Sequence, residues 1–258
     1  MIHIVRSLIS RYRNFKAAYF ENFPEGRQLK RLQCIHKGRR CFIVGNGPSL
    51  AAEDLERIEQ NEDISFGFNR IFHIFSKTTW RPTYYISQDE KMIKSSLDDV
   101  NSIPAKRKFY PIEFKWYANI HPSESTYFHL SNNMIDSYPA FSNDISKCIV
   151  NSNTVVYSAI QIAIYMGISE IYLIGVDHHF QVSMNSKGEI IVDPTAKDYF
   201  SEIYNIDREK LDIPEVDKST LTFIAAREYA DAHGIKIYNA TRGGKLEVFP
   251  RVDFDKLF

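Results

Sequence analysis

The chain has 258 residues, with 32 Lys+Arg against 32 Asp+Glu, 44% hydrophobic and 14% aromatic residues, and only 11 Gly and 10 Pro. This is the composition of a globular protein and excludes disordered, collagen-like and disulfide-scaffold chains. Cys34, Cys41 and Cys148 form no CxxC or Cys/His metal spacing, so a reducing compartment and no structural zinc are expected.

The neutral total hides an asymmetry. Residues 1–40 carry ten Lys/Arg (Arg6, Arg11, Arg13, Lys16, Arg27, Lys30, Arg31, Lys37, Arg39, Arg40) against Glu21 and Glu25, a net of +8, leaving −8 for residues 41–258. Ile4, Leu8, Tyr12 and Phe15 recur at helical spacing, so residues 1–40 are expected to be a basic helical segment. Such a helix either lies on an anionic membrane through residues 1–20 or packs on the body with its basic side in water. Arginines interrupt its apolar stretch and no small-residue cleavage site follows, unlike a secretion signal. No apolar run approaches the roughly 20 residues of a membrane span. A cytoplasmic protein is expected, at most at the inner face of the cytoplasmic membrane. The acidic body offers no basic stripe for nucleic acid.

Residues 40–45 form a short apolar run ending in Gly45, the pattern of a buried parallel strand entering a tight turn. Residues 50–60 follow as an amphipathic helix with Ser49 as its N-cap. The alternation continues with a strand at 64–68, a short helix near 70–76, a strand at 83–87, a helix near 89–98 and a strand near 107–112. A helix beginning at Asn153 or Thr154 leads into the strand 170–176. A hairpin around Lys187-Gly188 spans 183–193, and residues 194–216 are irregular, as a lid or substrate loop would be. A helix over 218–233 and a strand over 235–239 complete the pattern. The fold expected is α/β, one Rossmann-like domain over residues 41–258 with a mostly parallel sheet flanked by helices.

Several polar groups fall just beyond predicted strands, where open α/β sheets bind ligands. The turn Gly45-Asn46-Gly47-Pro48-Ser49 lets backbone approach a ligand and presents N–H groups to an anion. It is neither GxGxxG nor GxxxxGK[ST]. Asn69 follows the second strand, and Ser87 and Gln88 the third; singly each is better explained as a helix cap, but their recurrence at equivalent places points to one crevice. Asn151-Ser152-Asn153-Thr154 precedes a helix with more polar groups than capping requires. Asp177, His178 and His179 follow the 170–176 strand. Strict strand alternation would let Asp177 and His179 share a site only without His178, so a metal triad is disfavoured and an imidazole base preferred. Tyr199 and Tyr204 lie in the irregular segment, and Arg242 and Lys245 follow the last strand, where they could hold a phosphate.

The strand–GNGPSL–helix start, Asn69, Asn153-Thr154 and the IYLIGVD strand resemble bacterial sialyltransferases that modify lipooligosaccharide using CMP-sialic acid, in matching order over about residues 41–205. The same pieces, with the tail from Ile237 to Pro250 (IYNATRGGKLEVFP), resemble proteins of surface-polysaccharide loci grouped with the MptE-like 6-hydroxymethylpterin pyrophosphokinases. The resemblance implies a metal-independent transferase of Rossmann-like form whose Gly45–Ser49 turn and Asn69 hold a nucleotide sugar. In those sialyltransferases a loop histidine is the base and tyrosines bind the leaving phosphate. Here that loop, Lys197 to Tyr204, has no histidine, and His179 stands where one of the tyrosines would be.

The function expected is inverting transfer from a nucleotide-activated sugar, CMP-linked in the first instance, to a glycan or lipid-linked glycan of the cell surface. His179, or failing it His178, takes the acceptor's proton beside Asp177. Asn46, Asn69 and Thr154 orient the donor, while Tyr199, Tyr204 and Arg242 stabilise the leaving phosphate. No cofactor is expected. The alternatives are Mg²⁺-dependent pyrophosphoryl transfer from ATP to 6-hydroxymethyl-dihydropterin, and a non-catalytic nucleotide-sugar-binding subunit.

Overall fold

The computed structural model describes residues 11–132, 134–135, 138–152, 154–201 and 213–258. The central sheet contains β1 (Arg40–Val44), β2 (Ile64–Phe68), β3 (Tyr84–Ile86), β4 (Arg107–Pro111), β5 (Ser125–Phe128), β6 (Glu170–Ile174) and β7 (Lys236–Asn239). Its order is β7-β6-β1-β2-β3-β4-β5, and every adjacent pair is parallel. This is the expected α/β architecture. Chain direction across the sheet reverses at β1, which has β2 on one side and β6 on the other. The crevice between the carboxyl ends of β1 and β6 is therefore the switch point at which such sheets accept ligands.

Alternation along the strands sends side chains into two apolar layers. Cys41, Ile43, Phe66, Phe109 and Leu173 meet α5 (Val155–Tyr165) and α6 (Val216–Ala232) on one face. Phe42, Val44, Tyr110 and Ile174 meet α2 (Ala52–Gln60), α3 (Glu90–Ser95) and α4 (Leu97–Ser102) on the other. Phe42, Tyr172 and Tyr238, in register on β1, β6 and β7, stack with centroids 5.4 and 5.3 Å apart.

Three elements differ from expectation. The helix expected near 89–98 is two, broken at Ser96, which leaves helical backbone at φ −135°. The helix near 70–76 is a single 3₁₀ turn, Ile71–Ile74. The helix after β1 starts at Ala52 with Ala51 as N-cap and no side-chain cap bond; Ser49 is engaged elsewhere. The hairpin pairs Val182–Met184 with Ile190–Val192 around Gly188.

The basic head continues into the same apolar layer. Backbone is helical over 11–18, and α1 (Pro24–Lys30) follows; Phe20, Leu29 and Leu32 are buried against α5 and the sheet. The backbone N–H groups of Cys34, His36 and Gly38 donate to the carbonyls of Tyr165, Met166 and Gly167, satisfying the free end of α5. Among the described residues no helix is long and apolar enough to cross a membrane.

Gln161 on α5 is fully buried. Its Oε1 accepts from the N–H groups of Ser142 (3.1 Å) and Val150 (3.0 Å), and its Nε2 donates to the Val150 carbonyl (3.1 Å). These bonds tie the strand-like stretch ahead of α5 to the helix that points at the crevice. Gln161→Leu preserves bulk but strands the buried N–H and carbonyl of Val150, each costing about 1–3 kcal/mol, and releases the half-buried Ser142 N–H. A loss of about 3 kcal/mol or more in urea-unfolding free energy, without a change of slope, is expected.

Candidate functional site

A cavity of about 1160 Å³ opens at the switch point. The turns after β1 and β6 form its floor: Gly45 N–H donates to Ile174 O (2.7 Å) and Gly47 N–H to Gly175 O (2.8 Å). A Cβ on Gly45 would run into the Gly175 carbonyl, and one on Gly47 into the Asp177 carboxylate. Those glycines are required by the meeting of two backbones.

Asp177 closes the junction. Its Oδ2 accepts from Ser49 Oγ at 2.7 Å, and its backbone carbonyl accepts from Lys245 N–H at 2.7 Å. Burial pushes the Asp177 carboxyl above its ordinary range, opposed by the Ser49 hydrogen bonds. Ser49 thus donates its hydroxyl to Asp177 and does not accept from the first N–H groups of α2. Asp177 fastens the floor and does not stand free as a reacting group.

The second wall comes from the β2 and β3 turns. Asn69 has φ +51°; its Oδ1 accepts from Ser87 Oγ (3.1 Å) and its carbonyl from the Tyr85 hydroxyl (2.8 Å), which leaves Nδ2 as its donor toward a ligand. Ser87 is fully buried and does not line the cavity; it sets Asn69. Asn46 lines the cavity and donates from Nδ2 to Phe68 O (3.0 Å), joining the first two turns. Gln88 also lines it and accepts from Ser158 Oγ of α5 (2.7 Å).

The third wall is the amino end of α5. Thr154 is its N-cap, accepting from Val156 N–H at 3.3 Å, and Ser152, Thr154, Val155 and Val156 face the hollow. Asn153 lies outside the described residues, as does Tyr204. Tyr199 lines the opposite side with Asp198, next to Phe200, whose N–H donates to Asn46 O at 3.1 Å. Part of the irregular segment is thereby tied to the nucleotide-sized floor.

Asp177, His178 and His179 all line the cavity. The alternation that set His178 apart does not apply, because β6 ends at Ile174 and the turn passes through Gly175 at φ +63° and His178 at φ +53°. His178 Nε2 is 2.8 Å from Thr220 Oγ1, which itself donates to Val216 O; the imidazole is therefore the donor and Nδ1 its open acceptor. Burial pushes the His178 imidazole below its ordinary 6.5, opposed by Asp217.

His179 Nε2 lies 2.8 Å from Asp193 Oδ2 and 3.0 Å from Lys245 Nζ. One ring nitrogen cannot donate to a carboxylate and accept from an ammonium at once. Pairing with the carboxylate places the proton on Nε2 and leaves Nδ1 as the basic atom. Asp193 is itself held well below the ordinary carboxylate range, first by the Thr195 hydroxyl and then by His179. Asp193 was not apparent from sequence, since it closes a hairpin fourteen residues away and carries no motif.

Arg242 does not reach this site. Its guanidinium pairs with Asp54 and with Asp255 (2.9 and 3.0 Å), away from the cavity lining. The buried Asp54 and the exposed Asp255 offer two carboxylates to its planar fork, a better match than an open rim. Lys245, from the same tail, does reach His179.

Five lining acids already have partners: Asp89 caps α3 through Met92 N–H (2.9 Å), Glu90 pairs with Lys94, Asp177 with Ser49, Asp198 with Gln181 N–H, and Glu215 with Lys218. Among the described residues no three His, Cys, Asp or Glu side chains converge as a metal site requires.

The depressed His178 value has a signed consequence. Between its folded value and 6.5 the unfolded chain binds more protons, so the His178 contribution is present at neutral pH and is lost as pH falls below 6.5. His178→Gln, which stays neutral, is expected to flatten the fall of unfolding free energy between about pH 7 and 5 in urea titrations. An unchanged slope would show that the fall comes from other groups.

The sequence matches, over residues 17–183, the family model described as 6-hydroxymethylpterin diphosphokinase MptE-like. The fold is similar to that of the MAf glycosyltransferase from Magnetospirillum magneticum AMB-1, with a TM-score of 0.54 and 16% identity over 88% of this chain and 35% of that one. The chain thus spans about a third of that protein's length, and the likeness is one of fold. Among curated proteins none matches the sequence.

Proposed function

The chain belongs to the 6-hydroxymethylpterin diphosphokinase MptE-like family, and from that premise we propose that it is a glycosyltransferase of surface-glycan assembly acting on a nucleotide-activated sugar. The observation that carries this reading is the convergence, at one switch-point cavity, of neutral anion donors and an imidazole paired with a carboxylate. The donor's phosphate would sit between Asn69 Nδ2 and the amino end of α5, where N–H groups and the helix dipole favour negative charge. Gly45, Gly47 and Asn46 shape the floor beneath it. A cytidine nucleotide is the first candidate.

In this mechanism Asp193 holds His179 with Nδ1 open, and Nδ1 takes the acceptor hydroxyl's proton as its oxygen attacks the anomeric carbon. The bond from that carbon to phosphate oxygen breaks, its electron pair leaves with the nucleotide, and configuration inverts. Tyr199 stands on the wall where a phenolic donor would meet the departing phosphate. The alternative is pyrophosphoryl transfer to a pterin alcohol, the activity in the family's description. The first reading is preferred because Asn69 and the amino end of α5 offer amide and N–H donors that can hold a phosphate without a cation.

Calorimetry with CMP, CDP, UDP, GDP and ATP, with and without Mg²⁺, separates the two. Binding of a cytidine nucleotide without Mg²⁺ is expected; binding of ATP alone, and only with Mg²⁺, would give the cavity to the pyrophosphokinase. His179→Ala is expected to lower turnover about 10²–10⁴-fold with little change in nucleotide affinity, and Asp193→Asn to lower it less, in the same sense. Full turnover in His179→Ala would move the base elsewhere.

Peripheral membrane contact is proposed for the head. Tyr12, Phe15 and Tyr19 are 60%, 54% and 51% exposed beside Arg11, Arg13 and Lys16, the mixture of rings and cations that settles at an anionic interface. Phe15→Ser with Tyr19→Ser is expected to weaken sedimentation with phosphatidylserine vesicles about tenfold, without affecting nucleotide binding. Equal sedimentation would leave the head as a packing element.

A further inference from the structure

A second hollow, of about 480 Å³, adjoins the first between α6 and residues 245–248. Its size falls within the about 300–1,000 Å³ of small-molecule pockets. Two residues connect it to the proposed chemistry. His178 lines both hollows, and Lys245 lines the second while its Nζ lies 3.0 Å from His179 Nε2.

The two hollows differ in chemistry. Ile224, Leu246 and Val248 give the second an apolar surface, and Arg227, Glu228, Asp231 and Glu247 surround it. Glu228 and Asp231 keep acceptor capacity beyond their present bonds, from the Tyr138 hydroxyl and from Arg227, whereas Glu247 is held on both oxygens by Arg251. Carboxylate acceptors around a small apolar floor match a molecule with one apolar face and many hydroxyls, as a pyranose has. A base that deprotonates one substrate beside the reacting carbon of another must be reached by both; among the described residues His178 is the one that lines both hollows, and Lys245 of the second lies beside His179 of the first.

We propose that the hollow between α6 and residues 245–248 is the acceptor subsite, binding a neutral, hydroxyl-rich sugar whose reacting hydroxyl passes His178 to meet His179. This rests on the donor reading of the main cavity. His178 acts as a positioning residue, its Nδ1 accepting from a second hydroxyl of the acceptor. The transfer is that given above: the acceptor's O–H proton goes to His179, the new C–O bond forms, and the nucleotide leaves with the electron pair.

Methyl NMR of the full chain tests this with lactose as a neutral sugar and CMP as a nucleotide. Lactose is expected to shift the Ile224, Leu246 and Val248 methyls, and CMP those of Leu130, Val155 and Val156 in the main cavity. Ile224→Trp, which fills the hollow, is expected to weaken the lactose response about tenfold or more; an undiminished response overturns the proposal. Should that variant fail to fold, the wild-type shift map decides. Lactose shifts confined to Leu130, Val155 and Val156, or none anywhere while CMP binds, overturn the acceptor assignment alone. Lactose shifts at Ile224 without a response to any nucleotide overturn the donor reading, and the acceptor role with it.

Discussion

The site depends on one junction, where the turn after β1 meets the turn after β6. Gly45 and Gly47 bring their N–H groups onto the β6 end, and Ser49 reaches the buried Asp177 carboxylate. No side chain could be inserted there without displacing backbone, so two turns that are distant in sequence behave as one rigid floor. Holding Asp177 in this buried place raises its carboxyl, a cost that the Ser49 hydrogen bonds offset in part. The junction also draws in the tail, since Lys245 N–H donates to Asp177 O. That bond carries Lys245 to the rim beside His179.

Around this floor, the walls are set by side chains whose partners leave one face open. Ser87 is consumed in orienting Asn69, Ser158 in orienting Gln88, and Gln161 in tying residues 142–150 to α5. These buried polar residues shape the cavity without lining its surface. A satisfied network of this kind removes alternative rotamers from the lining groups, which is what preorganised binding needs.

The strand–helix order, the parallel sheet and the polar turns were legible in the sequence because each depends on local pattern. The apolar run at 170–174, the glycines at 45 and 47, and the hydroxyl at 154 all serve where their types indicate. What was not legible depends on partners remote in sequence. Ser49 looked like a cap because its competitor, Asp177, lies 128 residues away. Arg242 looked like a phosphate ligand because Asp54 and Asp255 cannot be seen to converge on it from the chain order. Asp193 carries no motif; only the pairing of Val182–Met184 with Ile190–Val192 carries it back to His179. The face of His178 was misjudged for a local reason: strand alternation was extended past Ile174 into a turn of positive φ.

The loss of Arg242 from the rim changes what kind of binding the cavity can offer. With that guanidinium committed to two carboxylates, Lys91 is the one Lys or Arg among the described lining residues, and on the proposed reading the attraction for a phosphate comes largely from amides, hydroxyls and the amino end of α5. Such dipoles act at short range and favour charge placed directly before them, whereas a free cation would attract any anion over a Debye length of about 8 Å. On the proposed mechanism the benefit is differential. The phosphate oxygen that gains charge as the sugar leaves is the one that fixed dipoles stabilise most in the transition state, while the resting donor is held less strongly. An acidic body with a crevice lined by amide, hydroxyl and N–H donors is therefore compatible with turnover of an anionic substrate, provided that the floor keeps its donors in place.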